Sequence, residues 1–156
     1  DALSAMQSQA EALGYVVTIA DTHFAGEASA VGCAIAARLH DAPPKTAFLY
    51  AGESTITLAK GAGAGGRNQE IALAALTAVR GGELVLPFAS DGRDNSDFAG
   101  ALGDALTREH AQKQSIPIEA YLRDHRTYDF FTATGDALLT GYTGSNVSDL
   151  IIALKR

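Results

Sequence analysis

The stretch Gly61–Glu70, Gly-Ala-Gly-Ala-Gly-Gly-Arg-Asn-Gln-Glu, runs a glycine-rich turn straight into an alanine- and leucine-rich segment. Four glycines in six residues leave backbone N–H groups uncovered and admit left-handed angles that a Cβ disfavours. The segment that follows, about Arg67 to Arg80, reads as a helix whose unpaired N–H groups and positive dipole end point back at the turn. Such a junction can wrap an anion, and Arg67 adds a planar fork of donors suited to two oxygens of one carboxylate or phosphate. The competing reading is a tight packing loop with Arg67 in water.

Around this junction the chain alternates helix and strand, which predicts an α/β fold, a layered sheet of mostly parallel strands flanked by helices. Leu3, Met6, Ala10 and Leu13 place an apolar stripe on a first helix stopped by Gly14, and Tyr15 to Ala20 is a β-branched strand. A second helix spans Glu27 to His40, with Ala28, Val31, Ile35 and Leu39 inward and Pro43-Pro44 ending it. Strands are expected at Thr46–Ala51, Ile56–Leu58, Leu84–Ala89, Ala137–Leu139 and Leu150–Leu154, and helices at Asp104–Ser115 and Ile118–Arg123. The run Leu84–Ala89 is nearly all apolar, as in a strand covered on both faces. Tyr128, Phe130 and Phe131 are expected in the core.

With 156 residues, no repeat and no linker, one domain over 1–156 is expected, 1–25 being a linking helix and strand. A net charge of −6 with 12 scattered cations argues against non-specific nucleic-acid or membrane-surface binding, so any anion site must be local. The single cysteine, Cys33, excludes a disulfide framework and reads as a buried thiol. His23, His40, His110 and His125 never fall at a metal-ligand spacing on one helix face, and no metal site is assigned. Neither a signal peptide nor a spanning apolar run is visible, which points to a cytoplasmic protein. The start at Asp1 without a methionine suggests an excised or trimmed segment.

Three polar turns each follow an expected strand: Gly61–Glu70, Ser90–Asp97 and Thr140–Asn146. In a sheet of one dominant direction they share an edge and surround one ligand. The chemistry divides among them. Arg67 and backbone N–H groups suit anionic oxygens, Asp91 and Asp94 suit a divalent cation or a substrate hydroxyl, and Thr143, Ser145 and Asn146 suit neutral hydrogen bonds. Such a site fits phosphoryl transfer from a nucleotide. The P-loop pattern is absent. Gly61, Gly63 and Gly66 satisfy Gly-x-Gly-x-x-Gly, with Asp91 about 25 residues on, which keeps a dinucleotide-dependent reductase open.

Gly65-Gly66-Arg67-Asn68-Gln69-Glu70, with Asp91-Gly92-x-Asp94, Ala99-Gly100-Ala101, Tyr128-x-Phe130-Phe131, Gly135-Asp136 and Thr140-Gly141-x-Thr143-Gly144-x-Asn146-Val147-x-Asp149-Leu150, resembles the MOFRL domain. That domain is the C-terminal half of the glycerate 2-kinase family, whose older members were often labelled hydroxypyruvate reductases. The resemblance covers roughly Gly26 to Leu154 and includes Gly52-Glu53-Ser54-Thr55-Ile56-Thr57. It implies ATP- and Mg²⁺-dependent phosphorylation of D-glycerate to 2-phosphoglycerate, in a cleft shared with a Rossmann-like N-terminal domain in cis or in trans. Arg67 and Asp91 are then the catalytic candidates. Glu53, Gly65, Gly66, Asn68, Glu70, Asp94, Thr143 and Asn146 are the substrate- and phosphate-binding candidates. The chain departs from the family pattern where Asn95-Ser96 follows Asp94, at Ala51, at Tyr142 and at Ser145. Alone, it is expected to be an inactive half-site; the alternative is a free-standing domain that binds a small anion or a protein partner.

Overall fold

The computed structural model describes residues 1–156. The helices are α1 (Ala2–Ala12), α2 (Ala28–Asp41), α3 (Arg67–Leu76), α4 (Ala105–Lys113), α5 (Ile118–Arg123) and α6 (Thr127–Thr134). The strands are β1 (Val16–Phe24), β2 (Thr46–Gly52), β3 (Glu83–Ala89), β4 (Gly100–Ala101), β5 (Gly103–Asp104), β6 (Ala137–Leu138) and β7 (Asp149–Lys155). They form one sheet in the order β1-β2-β7-β3-β4-β6, with β5 paired to β3.

The α/β class is as expected, and the sheet is mixed. Only β1 and β2 pair in parallel; β7 enters antiparallel between β2 and β3, and the remaining pairs are antiparallel. The shared direction survives in β1, β2, β3 and β6, so β2, β3 and β6 end on one edge, where β7 begins. The three polar turns meet at that edge.

Alternation along the strands divides the core. Val85, Ile151 and Ala153 face a main cluster with α2 and α3, whereas Leu49 and Leu150 face Leu3 of α1. α1 covers only part of its face. Along β3, therefore, Glu83, Val85, Pro87 and Ala89 are buried while Leu84, Leu86 and Phe88 are half-buried, not enclosed on both sides as the apolar run predicts. α3 is the central helix, with every residue from Asn68 to Leu76 buried. Full burial of Ile71, Leu73 and Leu76 contributes ~1.5–3 kcal/mol each. α2 crosses α3 at Gly32, where an added Cβ would collide with the Ile71 carbonyl.

Phe130 and Phe131 are fully buried and Tyr128 stacks on Phe98 with centroids 4.6 Å apart, so the aromatic segment is core. Three expectations are corrected. Ile56–Leu58 is not a strand: the chain leaving Gly52 makes one isolated bridge, Thr55 with Glu27, and then turns. α3 ends at Leu76, four residues early, where the Thr77 hydroxyl and N–H both turn back to the Ala74 carbonyl. Cys33 is exposed, one step off the α2 stripe formed by Ala28, Gly32, Ile35, Ala36 and Leu39. No helix is long and apolar enough to cross a membrane.

Candidate functional site

Antiparallel insertion of β7 sets Asp149, its first residue, opposite both Gly52 at the end of β2 and Ala89 at the end of β3. Asp149 is 3% exposed at the centre of the turn-bearing edge. Arg67, the first residue of α3, donates from Nε to Asp149 Oδ2 at 2.5 Å, and its Nη1 forms an ion pair with Glu53 Oε1 at 2.7 Å. One of its five N–H groups is thus hydrogen-bonded to a carboxylate while a second carboxylate is paired with the guanidinium, and the side chain, 37% exposed, lines the cleft. Burial pulls the Arg67 pKa down, but the hydrogen bond to Asp149 and the charges of Asp149, Glu53 and Asp94 outweigh it, and the net shift is upward.

The N-terminus of α3 is filled from within. Gly66 precedes the helix without a capping side chain, and Asp94 supplies the cap from the loop after β3. Its Oδ1 accepts from the Asn68 N–H at 3.0 Å and its Oδ2 from the Gln69 N–H at 2.8 Å, with the Asn68 and Gln69 side-chain amides each donating at 3.2 Å. Burial pushes the Asp94 pKa up, against the pull of these donors. The helix end predicted to hold a ligand anion therefore holds the protein's own carboxylate. Asp94, expected to meet a cation or a hydroxyl, spends both oxygens on the cap. Asn68 is buried within it and is not presented to a ligand.

The glycines serve close approach. Gly66 carries no Cβ where Asp94 passes, and Gly65, at φ +152°, leaves no space for one beside the Thr127 hydroxyl. The Gly63 N–H donates to the Asp124 carbonyl and the Gly65 carbonyl accepts from Asn95 Nδ2, each at 3.0 Å. The dinucleotide reading fails on context: no strand feeds Gly61, Gly63 and Gly66.

The other two turns are sewn together. Thr143 donates through its N–H to the Asp91 carbonyl at 3.0 Å and through Oγ1 to the Ser90 carbonyl at 2.6 Å. The Val147 N–H donates to Ser90 Oγ, and Ser148 Oγ donates to the Gly52 carbonyl. Thr143 is thus committed to holding the loops. Asp91 uses Oδ1 to accept the Arg93 N–H at 2.9 Å, while Oδ2 makes no hydrogen bond and the residue lines the smaller of the two pockets beside Arg67. Glu70 lies away from the cleft: it is buried, at 3.0 Å from His125 Nδ1, and burial outweighs the pull of that imidazole to push its pKa up.

Two pockets adjoin at Arg67. The larger, about 700 Å³, lies between the Glu53–Leu58 segment, Gly65-Gly66 and the loop at Arg93–Asn95. The smaller, about 160 Å³, is lined by Ser90, Asp91, Asn146, Ser148 and Asp149. Glu53, Arg67 and Arg93 line both. Arg67, Asp91 and Asn146, one from each polar turn, meet around the smaller pocket together with Glu53, which follows β2, and Gly65 and Gly66 wall the larger pocket. Asp149, Arg93, Ser90 and Ser148 were not among the candidate site residues, although Asp149 stands in the family motif and Ser90 and Arg93 in the second polar turn. The signal for Asp149 was its place directly before the last strand, and for Arg93 its place in the Asp-rich loop.

No group of three or more His, Cys, Asp or Glu side chains converges at metal-ligating distance. With the α3 N-terminus capped by Asp94 and the Glu53 and Asp149 carboxylates tied to Arg67, these residues supply no free carboxylate cluster for a nucleotide's Mg²⁺.

Residues 46–149 match the model of the MOFRL family, a span that takes in Glu53, Arg67, Arg93 and Asp149. The chain belongs to the MOFRL family. It is 34% identical to the glycerate 2-kinase of Pyrococcus horikoshii, over 96% of this chain and 36% of that protein. To the D-glycerate 2-kinase of Thermotoga maritima it is 36% identical, over 95% of this chain and 38% of the relative. The crystal structure of glycerate kinase from Thermotoga maritima superposes with a TM-score of 0.88 at 34% identity, covering 96% of this chain and 38% of that one. This MOFRL chain thus spans little more than a third of the length of these relatives.

Proposed function

We propose that this chain is the acceptor-binding wall of a glycerate 2-kinase, which transfers phosphate from ATP to D-glycerate with the cleft closed by a Rossmann-like domain outside these residues. The observation that carries the reading is the Arg67 guanidinium, fixed by Asp149 and Glu53 at the junction of two pockets with donors to spare. A guanidinium held by two carboxylates needs little reorganisation to meet a carboxylate or phosphoryl oxygen, which is how pre-oriented donors act in phosphoryl transfer. Asp91, whose Oδ2 is unengaged beside it, would accept a hydrogen bond from the acceptor hydroxyl and orient it. Asn146, with Ser90 and Ser148, supplies neutral polar groups to the smaller pocket. The nucleotide and its Mg²⁺ belong in this reading to the other domain. Arg67 works at full strength only when that domain excludes water.

The test is a chimaera in which this chain replaces the matching segment of the Thermotoga maritima glycerate kinase, assayed for ATP-dependent phosphorylation of D-glycerate. We expect activity that falls by about 10²-fold or more in Arg67→Ala, the scale of losing one oxyanion donor. A folded chimaera whose activity is indifferent to Arg67→Ala contradicts the reading.

A further inference from the structure

We infer that Arg93, rather than Arg67, carries the charge that captures the anionic group of the ligand, a carboxylate or phosphate oxyanion seated in the smaller pocket; this rests on the cleft being the substrate site. Three observations lead there. Arg67 is one cation bonded to two carboxylates, Asp149 and Glu53, so the cluster as a whole repels an approaching anion although its spare N–H groups can bond one. The side chain of Arg93 belongs to none of the molecule's ion pairs and is exposed. It is also the second arginine common to both pockets.

The backbone beneath Arg93 is held from both sides. Its N–H donates to Asp91 Oδ1, the preceding Gly92 sits at φ +88° against the Gly141 carbonyl, and the following Asp94 is locked into the α3 cap. A fixed Cα with an unengaged guanidinium is an arm anchored at the rim of the pocket. The pocket is small: about 160 Å³ lies below the ~300–1,000 Å³ of drug-sized ligand sites and suits a compact hydroxy acid or its phosphate ester, not a nucleoside. Charge capture by Arg93 followed by hydrogen bonding to Arg67 divides the work between a cation that is unpaired and one that is positioned.

Isothermal titration of this chain with inorganic phosphate, D-glycerate and 2-phosphoglycerate, in wild type, Arg93→Ala, Arg93→Lys and Arg67→Ala, tests the assignment. Losing a charge-assisted contact is expected to weaken binding of 2-phosphoglycerate by about tenfold or more in Arg93→Ala, with Arg93→Lys between it and wild type. Because Arg93 is exposed and unpaired, the unfolding midpoint of Arg93→Ala should match wild type. A parallel loss for D-glycerate puts the carboxylate on Arg93; a loss for inorganic phosphate alone puts the phosphate there, and either supports the inference. If Arg93→Ala binds within about twofold of wild type while Arg67→Ala does not bind, the inference is overturned and the kinase reading stands. If wild type binds none of the three, the preformed acceptor wall itself is refuted, and the inference with it.

Discussion

Removing the Asp94 carboxylate should damage α3 more than any other single change at the cleft. In Asp94→Ala the N–H groups of Asn68 and Gln69 lose their acceptors, at residues that are wholly buried. Loss of a helix cap alone costs ~0.5–2 kcal/mol, and hydrogen bonds to a charged partner contribute ~1.5–3 kcal/mol. Against these stands the cost of burying an ionised carboxylate, visible in the raised Asp94 pKa. We therefore expect a net loss of about 2–4 kcal/mol for Asp94→Ala, a large part of the ~5–15 kcal/mol of a typical domain. Asp94→Asn keeps one acceptor oxygen and should lose less than Asp94→Ala. The sign with pH follows from linkage. A carboxyl whose folded pKa lies above its unfolded value makes the native state bind its proton more readily, so its contribution favours folding at low pH and is lost as pH rises through the folded pKa. Asn does not titrate, so Asp94→Asn should approach wild type near neutral pH and fall further behind in mild acid. Urea unfolding followed by circular dichroism at the two pH values measures both differences. An Asp94→Ala loss under about 1 kcal/mol, or an Asn deficit that grows with pH, refutes this account of the cap.

Three further outcomes are expected. Gly32→Ala adds a better helix former, by ~1 kcal/mol, yet its Cβ would strike the Ile71 carbonyl at the α2–α3 crossing, so chemical denaturation should show a net loss of about 1–3 kcal/mol. Glu27 accepts hydrogen bonds from the Thr57 hydroxyl at 2.5 Å and N–H at 3.1 Å, which hold its pKa below the ordinary glutamate range. NMR titration should show that depression reduced in Thr57→Val, where the hydroxyl is lost and the N–H kept. Its stabilising contribution is present above the unfolded pKa and fades as pH falls through the folded one. His125→Ala leaves Glu70 buried without its imidazole partner, so NMR should find the Glu70 pKa raised further, and stability at neutral pH should drop by about 1–3 kcal/mol.

Local order was well marked in the sequence. Gly14 takes φ +84° after α1 as a helix stop should, α5 occupies Ile118–Arg123, and the aromatic pair Phe130-Phe131 is fully buried. What the chain does not display locally is strand partnering. The antiparallel entry of β7 between β2 and β3 is a tertiary choice, and it is what brings Asp149 to Arg67. The convergence of the three turns was legible because polar loops after strands collect at one edge. The use of the α3 N-terminus was not, since its occupant, Asp94, lies 26 residues beyond Asn68, and nothing local distinguishes a ligand's carboxylate from the protein's own. Glu70 was a candidate through the motif it shares with Arg67, yet it faces His125 and not the cleft.

Whether the Arg67 edge binds the acceptor can be read residue by residue from a ¹H–¹⁵N NMR titration of this chain with 2-phosphoglycerate, including the arginine Nε–H groups. Shifts are expected only along the Arg67 edge, at Glu53, Gly66, Arg67, Ser90, Asp91 and Arg93, with α1 unchanged. Shifts centred on α1, or on the His125–Glu70 side of α3 with the Arg67 and Arg93 resonances unmoved, would contradict binding at that edge.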